Sequence, residues 1–322
     1  ADIIIGAPGA VPNGVSYAGS SFVLFGHGGG FAATLDLDTF NASQGFRVDG
    51  LNVNAFVGTQ VAGAGDMNGD GFADLLISAE GADPDGRNAA GSTYIVFGHG
   101  GAFDANINLN TLDGRDGFRI DGGNAGDRSG LSASAAGDVN GDGYDDVLLG
   151  ASESSVVGNS AGIAYVVFGH GGVFDQTLNL GTAGAGSVLQ LTTGVNFDRV
   201  GGSVSAAGDV NGDGFADVFL NSGPLTGGYL VFGRDFNGVL TREGMSGNDT
   251  LLGTLAADAL VGGLGNDLID GLGGADALAG GAGDDTFIWH DGVRRIDGGG
   301  GSDRLRITGT QSLFQLQATS AA

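Results

Sequence analysis

Cysteine and lysine are both absent from this chain, and among its 322 residues proline occurs four times. Without cysteine there is no disulfide framework and no thiol chemistry. Glutamate is nearly absent too, occurring only as Glu80, Glu153 and Glu243. Base is scarce: 12 basic residues face 37 acidic ones, for a formal net charge of −25. No basic stripe exists to displace counterions from a nucleic acid, so a nucleic-acid partner is excluded, and an anionic membrane surface would repel the chain. No apolar run approaches the ~18 residues of a membrane span. Ala1-Asp2-Ile3-Ile4-Ile5-Gly6-Ala7-Pro8 has no basic n-region and does not read as a secretory signal.

Glycine, at 68 residues, is abundant without any collagen-like triplet and is expected to serve turns in a β-rich repeat protein. The acids are almost all aspartate, which tolerates turns and ligates cations from short loops. They concentrate in three copies of the pattern D-x-N-x-D-G-x-x-D, at Asp66–Asp74, Asp138–Asp146 and Asp209–Asp217. Oxygen ligands at alternate positions around a glycine turn are what a hard cation such as Ca²⁺ requires. The candidate ligands are Asp66, Asn68, Asp70, Asp74 and the backbone carbonyl of Phe72 in the first copy. The second copy offers Asp138, Asn140, Asp142, Asp146 and the Tyr144 carbonyl; the third offers Asp209, Asn211, Asp213, Asp217 and the Phe215 carbonyl. An EF-hand would need a bidentate glutamate at position 12, where this chain has Ile77, Leu149 and Leu220. Filling all three loops with Ca²⁺ would bring the net charge to about −19.

The loops recur every 71 to 72 residues, each with the same surroundings. A small-residue run precedes it (Val61–Gly65, Ser132–Gly137, Ser203–Gly208) and an apolar run follows (Leu75–Ile77, Val147–Leu149, Val218–Leu220). Next comes a strand ending in Phe-Gly, then an alternating segment such as Phe46–Asp49 or Phe118–Asp121. About four short strands per period is the signature of a β-propeller blade. Asp2 corresponds to the last position of such a loop, so the chain is expected to begin inside a blade, holding three complete blades and most of another, as a fragment or processed product.

The Phe-Gly pairs (Phe25-Gly26, Phe97-Gly98, Phe168-Gly169, Phe232-Gly233), Gly6-Ala7-Pro8 and the three loops together resemble the FG-GAP repeats of the integrin α-chain propeller and its bacterial relatives. Gly-Ala-Pro decays to Ser78-Ala79-Glu80, Gly150-Ala151-Ser152 and Ser222-Gly223-Pro224. The resemblance covers residues 1–240 and implies part of a seven-bladed ring, of which about four blades fall in this chain, the first truncated.

From Gly244 the period becomes nine: 244–252, 253–261, 262–270, 271–279 and 280–288, with a further copy at 298–306 after an interruption at Trp289–Asp297. Each copy has aspartate at its sixth position (Asp249, Asp258, Asp267, Asp276, Asp285, Asp303) and an apolar residue at its eighth (Leu251, Leu260, Ile269, Leu278, Phe287, Leu305). This resembles the RTX nonapeptide, which implies a parallel β-roll with several Ca²⁺ ions held between turns and the eighth positions packed inward. The second copy, Gly253-Thr254-Leu255-Ala256-Ala257, lacks the usual glycines, and its site is expected to be weak or empty. Trp289 and His290 are expected to cap the roll. The fold class expected is all-β: propeller blades over 1–240, a β-roll over 241–306, and a tail or capping strand over 307–322.

Other motifs read as architecture. His27, His99 and His170 each lie in Phe-Gly-His-Gly-Gly, one per blade, which argues for a repeated turn and against a three-histidine metal site. Gly158-Asn159-Ser160-Ala161-Gly162 matches G-x-S-x-G and His27-Gly28-Gly29-Gly30 an oxyanion-loop motif, but a nucleophile elbow needs a strand–turn–helix, and Ser160 falls between strands. Arg128 and Arg199 are expected to make inter-blade ion pairs. The expectation is therefore no catalytic residue and a calcium-loaded extracellular or cell-surface protein. The RTX resemblance implies type I secretion from a Gram-negative cell. Its role would be adhesion to a cell-surface or matrix ligand. The alternatives are self-association through the first blade into a filament, sheath or matrix, and service as an accessory region of a larger secreted enzyme or toxin.

Overall fold

A computed structural model describes residues 2–29, 33–37, 39, 41–223, 227–236, 240–244 and 246–307. The tail from 308, with Leu313 and Leu316, lies outside the described residues, as do Gly30 and Pro224 of the motifs above. The chain divides into two compact units, 1–211 with 215–239, and 240–322 with 212–214. Among the described residues every regular element is a strand or a single 3₁₀ turn. No helix among them is long and apolar enough to cross a membrane.

The first unit holds four sheets in chain order. Strands β1 (Ile3–Ala7), β2 (Ser20–Leu24) and β3 (Gly45–Asp49) form the first blade. The second comprises β4 (Val57–Gly65), β5 (Asp74–Ala79), β6 (Ser92–Val96) and, after the short β7 (Asn106–Ile107), β8 (Gly117–Asp121). The third comprises β9 (Ser132–Gly137), β10 (Asp146–Ala151), β11 (Ile163–Val167) and, after β12 (Thr177–Asn179), β13 (Val188–Leu191). The fourth has β14 (Ser203–Gly208), β15 (Asp217–Asn221) and β16 (Gly228–Val231). Neighbouring blade strands are antiparallel, as short glycine-rich turns dictate. The expected three complete blades become two complete four-stranded blades among the described residues, because the first and fourth each show three strands of their own.

The small residues of β4, β9 and β14 let these inner strands pack side by side, β9 between the other two. Apolar side chains of adjacent sheets then interdigitate, with Leu76, Ile95, Phe118, Leu149 and Tyr165 in one buried cluster. The short strands β7 and β12 were not legible in the sequence. The segments after Phe97-Gly98 and Phe168-Gly169 run back to the preceding blade, so that β7 pairs in parallel with β3 and β12 with β8. An aromatic anchors each return: Phe103 stacks on Phe46 at 4.8 Å and Phe174 on Phe118 at 4.6 Å.

The second unit is a parallel β-roll. One sheet is β17 (Arg242–Glu243), β19 (Ala259–Leu264), β21 (Ala277–Ala282) and β23 (Arg295–Asp297). The other is β18 (Thr250–Leu252), β20 (Leu268–Asp270), β22 (Thr286–Trp289) and β24 (Arg304–Ile307). Consecutive nonapeptides alternate between the sheets, so a full coil is two repeats and Leu260 pairs with Leu278, Ile269 with Phe287. The eighth positions Leu251, Leu260, Ile269, Leu278 and Phe287 form the core, with Leu305 packed against it. The expected cap at Trp289 and His290 is corrected here. Residues 289–297 keep the nine-residue length, and β23 continues the roll with Ile296 opposite Leu278. Backbone length, one inward apolar residue and the turn glycine Gly292 suffice for a coil even where the first two glycines and the aspartate are lost.

Ile269 is fully buried whereas Leu255 is 86% exposed. Ile269→Ala should therefore lower stability by about 2–5 kcal/mol and Leu255→Ala by no more than about 0.5 kcal/mol, measured by urea denaturation in saturating calcium.

Candidate metal centres

In the first two propeller loops the chain folds back on its own acids. Asp66 Oδ1 accepts the Asp70 N–H at 3.0 Å and Oδ2 that of Gly71 at 2.9 Å. Asn68 Oδ1 also accepts from Asp70 N–H at 2.9 Å, and Asp70 Oδ1 from Phe72 N–H at 2.9 Å. The second loop repeats this, with Gly143 N–H donating to Asp138 at 2.7 Å, Asp142 N–H to Asn140 at 3.2 Å and Tyr144 N–H to Asp142 at 2.9 Å. These bonds wind Asp66–Asp70 and Asp138–Asp142 into tight turns with their acids on one loop.

The ninth-position aspartate has a role that sequence reasoning missed. Asp74 Oδ2 accepts Met67 N–H at 2.8 Å and Oδ1 accepts Gly98 N–H at 2.9 Å. Asp146 does the same with Val139 and Gly169, and Asp217 with Val210 and Gly233. Asp2 accepts Gly26 N–H at 2.7 Å. The buried carboxylate thus ties its loop to the glycine of Phe-Gly. It also explains that glycine, since a Cβ on Gly98, Gly169 or Gly233 would run into the carbonyl of Ala73, Asp145 or Ala216. The signal was in plain view: a Phe-Gly pair follows the ninth aspartate in every repeat, its glycine 24, 24, 23 and 16 residues on from Asp2, Asp74, Asp146 and Asp217.

Loops of neighbouring blades are also joined. Asp145 N–H donates to the Asp66 carbonyl at 3.2 Å and Ala216 N–H to that of Asp138 at 2.9 Å. His170 N–H reaches Met67 O at 2.9 Å and Arg234 N–H reaches Val139 O at 3.0 Å. The position-seven aromatics lie over the glycines of the Phe-Gly-His-Gly turns, Phe72 at Gly100 and Tyr144 at Gly171.

Among the described residues no three acidic or histidine side chains stand together as a ready cluster. The loop acids face their own N–H groups, yet each carboxylate oxygen carries a second lone pair. The electrostatics favour a cation. Burial, with added repulsion from Asp66 and Asp70, pushes Asp74 up to about 7. Burial, then the charge of Asp138, raises Asp146 well above the usual carboxylate range. Asp66 is raised as well, chiefly by burial.

In the roll the sixth-position aspartates stack at intervals of 18. Asp267 Oδ1 accepts Asp249 N–H at 2.7 Å, Asp276 accepts that of Asp258 at 3.1 Å, Asp285 that of Asp267 at 2.8 Å and Asp303 that of Asp285 at 3.0 Å. The second oxygens of Asp267, Asp276 and Asp285 are buried with no hydrogen-bond partner. Burial raises all three groups. A buried anionic oxygen without a partner is costly, and an all-oxygen setting of this kind suits Ca²⁺. Asp258 differs, for its Oδ2 accepts both the N–H of Thr254, at 2.5 Å, and its hydroxyl, at 3.0 Å.

The decoy motifs resolve into turns. Ser160 has φ +43° and donates its N–H to Ser155 Oγ, while its carbonyl accepts from Arg199. Ala89 and Arg128 form the same link between the second and third blades. His99 and His170 stack on Phe103 and Phe174, and His27 Nδ1 accepts Gly29 N–H. Arg128 pairs with Glu80 at 3.8 Å and Arg199 with Glu153 at 3.9 Å, both half-exposed and worth little.

Comparison with known proteins agrees with this geometry. The FG-GAP repeat model matches residues 57–96 and 130–167, and the RTX calcium-binding nonapeptide repeat model matches 243–278 and 252–287. The chain is 28% identical to Drosophila melanogaster Integrin alpha-PS2 over 204 residues, covering 61% of this chain and 13% of that protein. It is 29% identical over 194 residues to Phosphatidylinositol-glycan-specific phospholipase D of Dictyostelium discoideum, covering 56% of this chain and 19% of that protein. The chain thus spans less than a fifth of either relative.

A carboxyl whose pKa is higher folded than unfolded binds its proton more tightly in the fold, so its stabilisation is present below the unfolded value and lost as pH rises through the folded one. With Asp74 at about 7 against an ordinary 3.8, the metal-free protein should lose stability as pH rises from 4 to 7. Thermal melts in EGTA at pH 5 and pH 7.5 should show the lower midpoint at pH 7.5, and added calcium should remove most of the difference. FG-GAP repeats followed by RTX nonapeptides, whose cofactor is calcium bound in several copies, are what this chain carries.

Proposed function

We propose that the chain is a calcium-dependent, non-catalytic part of an extracellular or cell-surface protein, acting in adhesion to a cell-surface or matrix ligand. The observation that carries the calcium dependence is the set of buried, partnerless oxygens on Asp267, Asp276 and Asp285. The propeller loops add three further sites: Asp66, Asn68, Asp70, Asp74 and the Phe72 carbonyl; Asp138, Asn140, Asp142, Asp146 and the Tyr144 carbonyl; and Asp209, Asn211, Asp213, Asp217 and the Phe215 carbonyl. The roll would hold its ions with Asp249, Asp267, Asp276, Asp285 and Asp303, more weakly at Asp258, where Thr254 takes one oxygen. Calcium supplies charge neutralisation. Repulsion between clustered aspartates keeps the chain open where calcium is scarce and lets it fold where calcium is plentiful, which suits type I secretion. Adhesion rests on the likeness to an integrin α subunit.

Two other readings each have an observation in their favour. A groove of about 440 Å³ beside β1, lined by Ile4, Val23, Phe25, Phe46 and Phe72, could seat a strand and link copies into a filament or sheath. The likeness to a phospholipase D favours an accessory region of a larger secreted enzyme.

Full-length chain immobilised on beads should retain cells or extracellular matrix in millimolar calcium and release them in EGTA, with parallel loss of β-sheet circular dichroism. Unchanged spectra on chelation would overturn the calcium reading. Sedimentation in calcium separates the alternatives: association into oligomers supports the filament, and a monomer at all concentrations excludes it.

A further inference from the structure

Every blade has a forward face, toward the blade after it, and a backward face, toward the blade before. On the second blade the forward face carries Leu76 and Ile95, directly opposite each other in the β5–β6 pair, with Phe97 of Phe-Gly and the loop residue Met67. These four are at most 3% exposed and share one buried cluster with Val147, Leu149 and Tyr165 of the third blade. The third blade repeats the arrangement with Leu148 opposite Val166, and with Phe168 and Val139. These too are at most 3% exposed, clustered with Val204, Val218 and Leu220 of the fourth blade. Alternation along the strand divides the faces, so that Leu76 and Leu148 point forward while Ile77 and Leu149 point back.

The fourth blade builds the same forward face and leaves it open. Phe219 stands opposite Leu230 in the β15–β16 pair, Phe232 is the aromatic of Phe-Gly, and Val210 is the second loop residue. These four are 40% to 56% exposed, whereas Val218 and Leu220 on the backward face of the same strand are buried. Large apolar side chains gathered on one side of a sheet mark an interaction surface. Along the chain the fourth blade is followed by the strands of the roll, so among the described residues no fifth blade succeeds it.

The complement lies at the other end of the array. Strand β1 pairs on one side only, with β2. Of its backward residues Ile3 is 49% exposed and Ile5 half-buried, while Ile77 and Leu149, the counterparts of Ile5, are fully buried. Phe22 and Leu24 on β2 are covered, which narrows the open part of this face to β1 itself.

We infer that the chain self-associates head to tail, the forward face of one copy's fourth blade packing through Val210, Phe219, Leu230 and Phe232 on strand β1 of a second copy's first blade. The contact continues between copies the blade-on-blade packing that occurs three times within one. Because the two surfaces differ, the pairing is heterologous and extends into a filament unless its rotation closes a ring. It rests on the self-association reading above and replaces a strand seated in the groove by two blade faces meeting. Each copy carries the same net charge of −25, so an apolar contact between copies should tighten as salt screens their repulsion.

Sedimentation velocity of the full chain in calcium tests this. The mass of the parent should grow with protein concentration, and further as salt is raised. The double variant Phe219→Ser, Leu230→Ser should stay monomeric where the parent associates, with unchanged β-sheet circular dichroism. Association that survives both substitutions would overturn the inference and leave self-association standing, whereas a parent that stays monomeric would overturn both. The absence of cysteine lets the orientation be read without background. Ile3→Cys and Leu230→Cys copies, mixed and treated with a short bismaleimide, should cross-link to each other and not to themselves. Leu230→Cys copies that link among themselves would establish a symmetric face-to-face dimer and overturn the head-to-tail assignment. If the double serine variant is unfolded, the cross-linking pattern decides.

Discussion

A buried carboxylate that accepts two backbone N–H groups from different parts of its repeat is the constraint on which the first unit depends. Asp74, Asp146 and Asp217 each clamp the start of their own loop to the glycine that ends the next-but-one strand. Such a bracket fixes loop and strand ends together, and it places a negative charge out of water beside two or three others. The fold therefore creates an electrostatic debt within each blade, visible in the raised pKa values of Asp74 and Asp146. A divalent ion bound in the same loop cancels it. Structure and metal requirement arise from one arrangement.

The roll reaches the same end by another route. There the aspartate uses one oxygen to join coils 18 residues apart and leaves the other buried. The apolar eighth positions supply the core, but so narrow a core, one residue per nonapeptide, leaves the turns to be held by charge. Where Thr254 binds the Asp258 carboxylate, and where Arg294 stands at the aspartate position, the coil persists without changing length. The register of the backbone is thus more tolerant than the chemistry of its turns.

Much of this was legible in the sequence because the repeats report it several times over. The small-residue runs became β4, β9 and β14, the Phe-Gly segments became β6, β11 and β16, and the inward positions of the nonapeptides were assigned correctly residue by residue. What escaped reading had weak local signals. The strands β7 and β12 are two and three residues long and are defined by pairing with another blade, which no periodicity reveals. Residues 289–297 lack the first two glycines and the sixth-position aspartate of a nonapeptide and keep only Gly292, so only counting to nine would have exposed them. The double bond of the ninth aspartate depends on a glycine 16 to 24 residues away, contacts that only the folded sheet brings together.

The coil of two nonapeptides has a consequence for how such a roll can change length. Duplicating or deleting 18 residues returns every later side chain to its former edge. Gaining or losing a single nonapeptide preserves the backbone and the apolar core but exchanges the two edges for everything downstream, aligning Arg294 with the aspartate row. Even steps therefore keep each side chain on the edge where it packs and odd ones do not, so parity becomes an inherited property of the array.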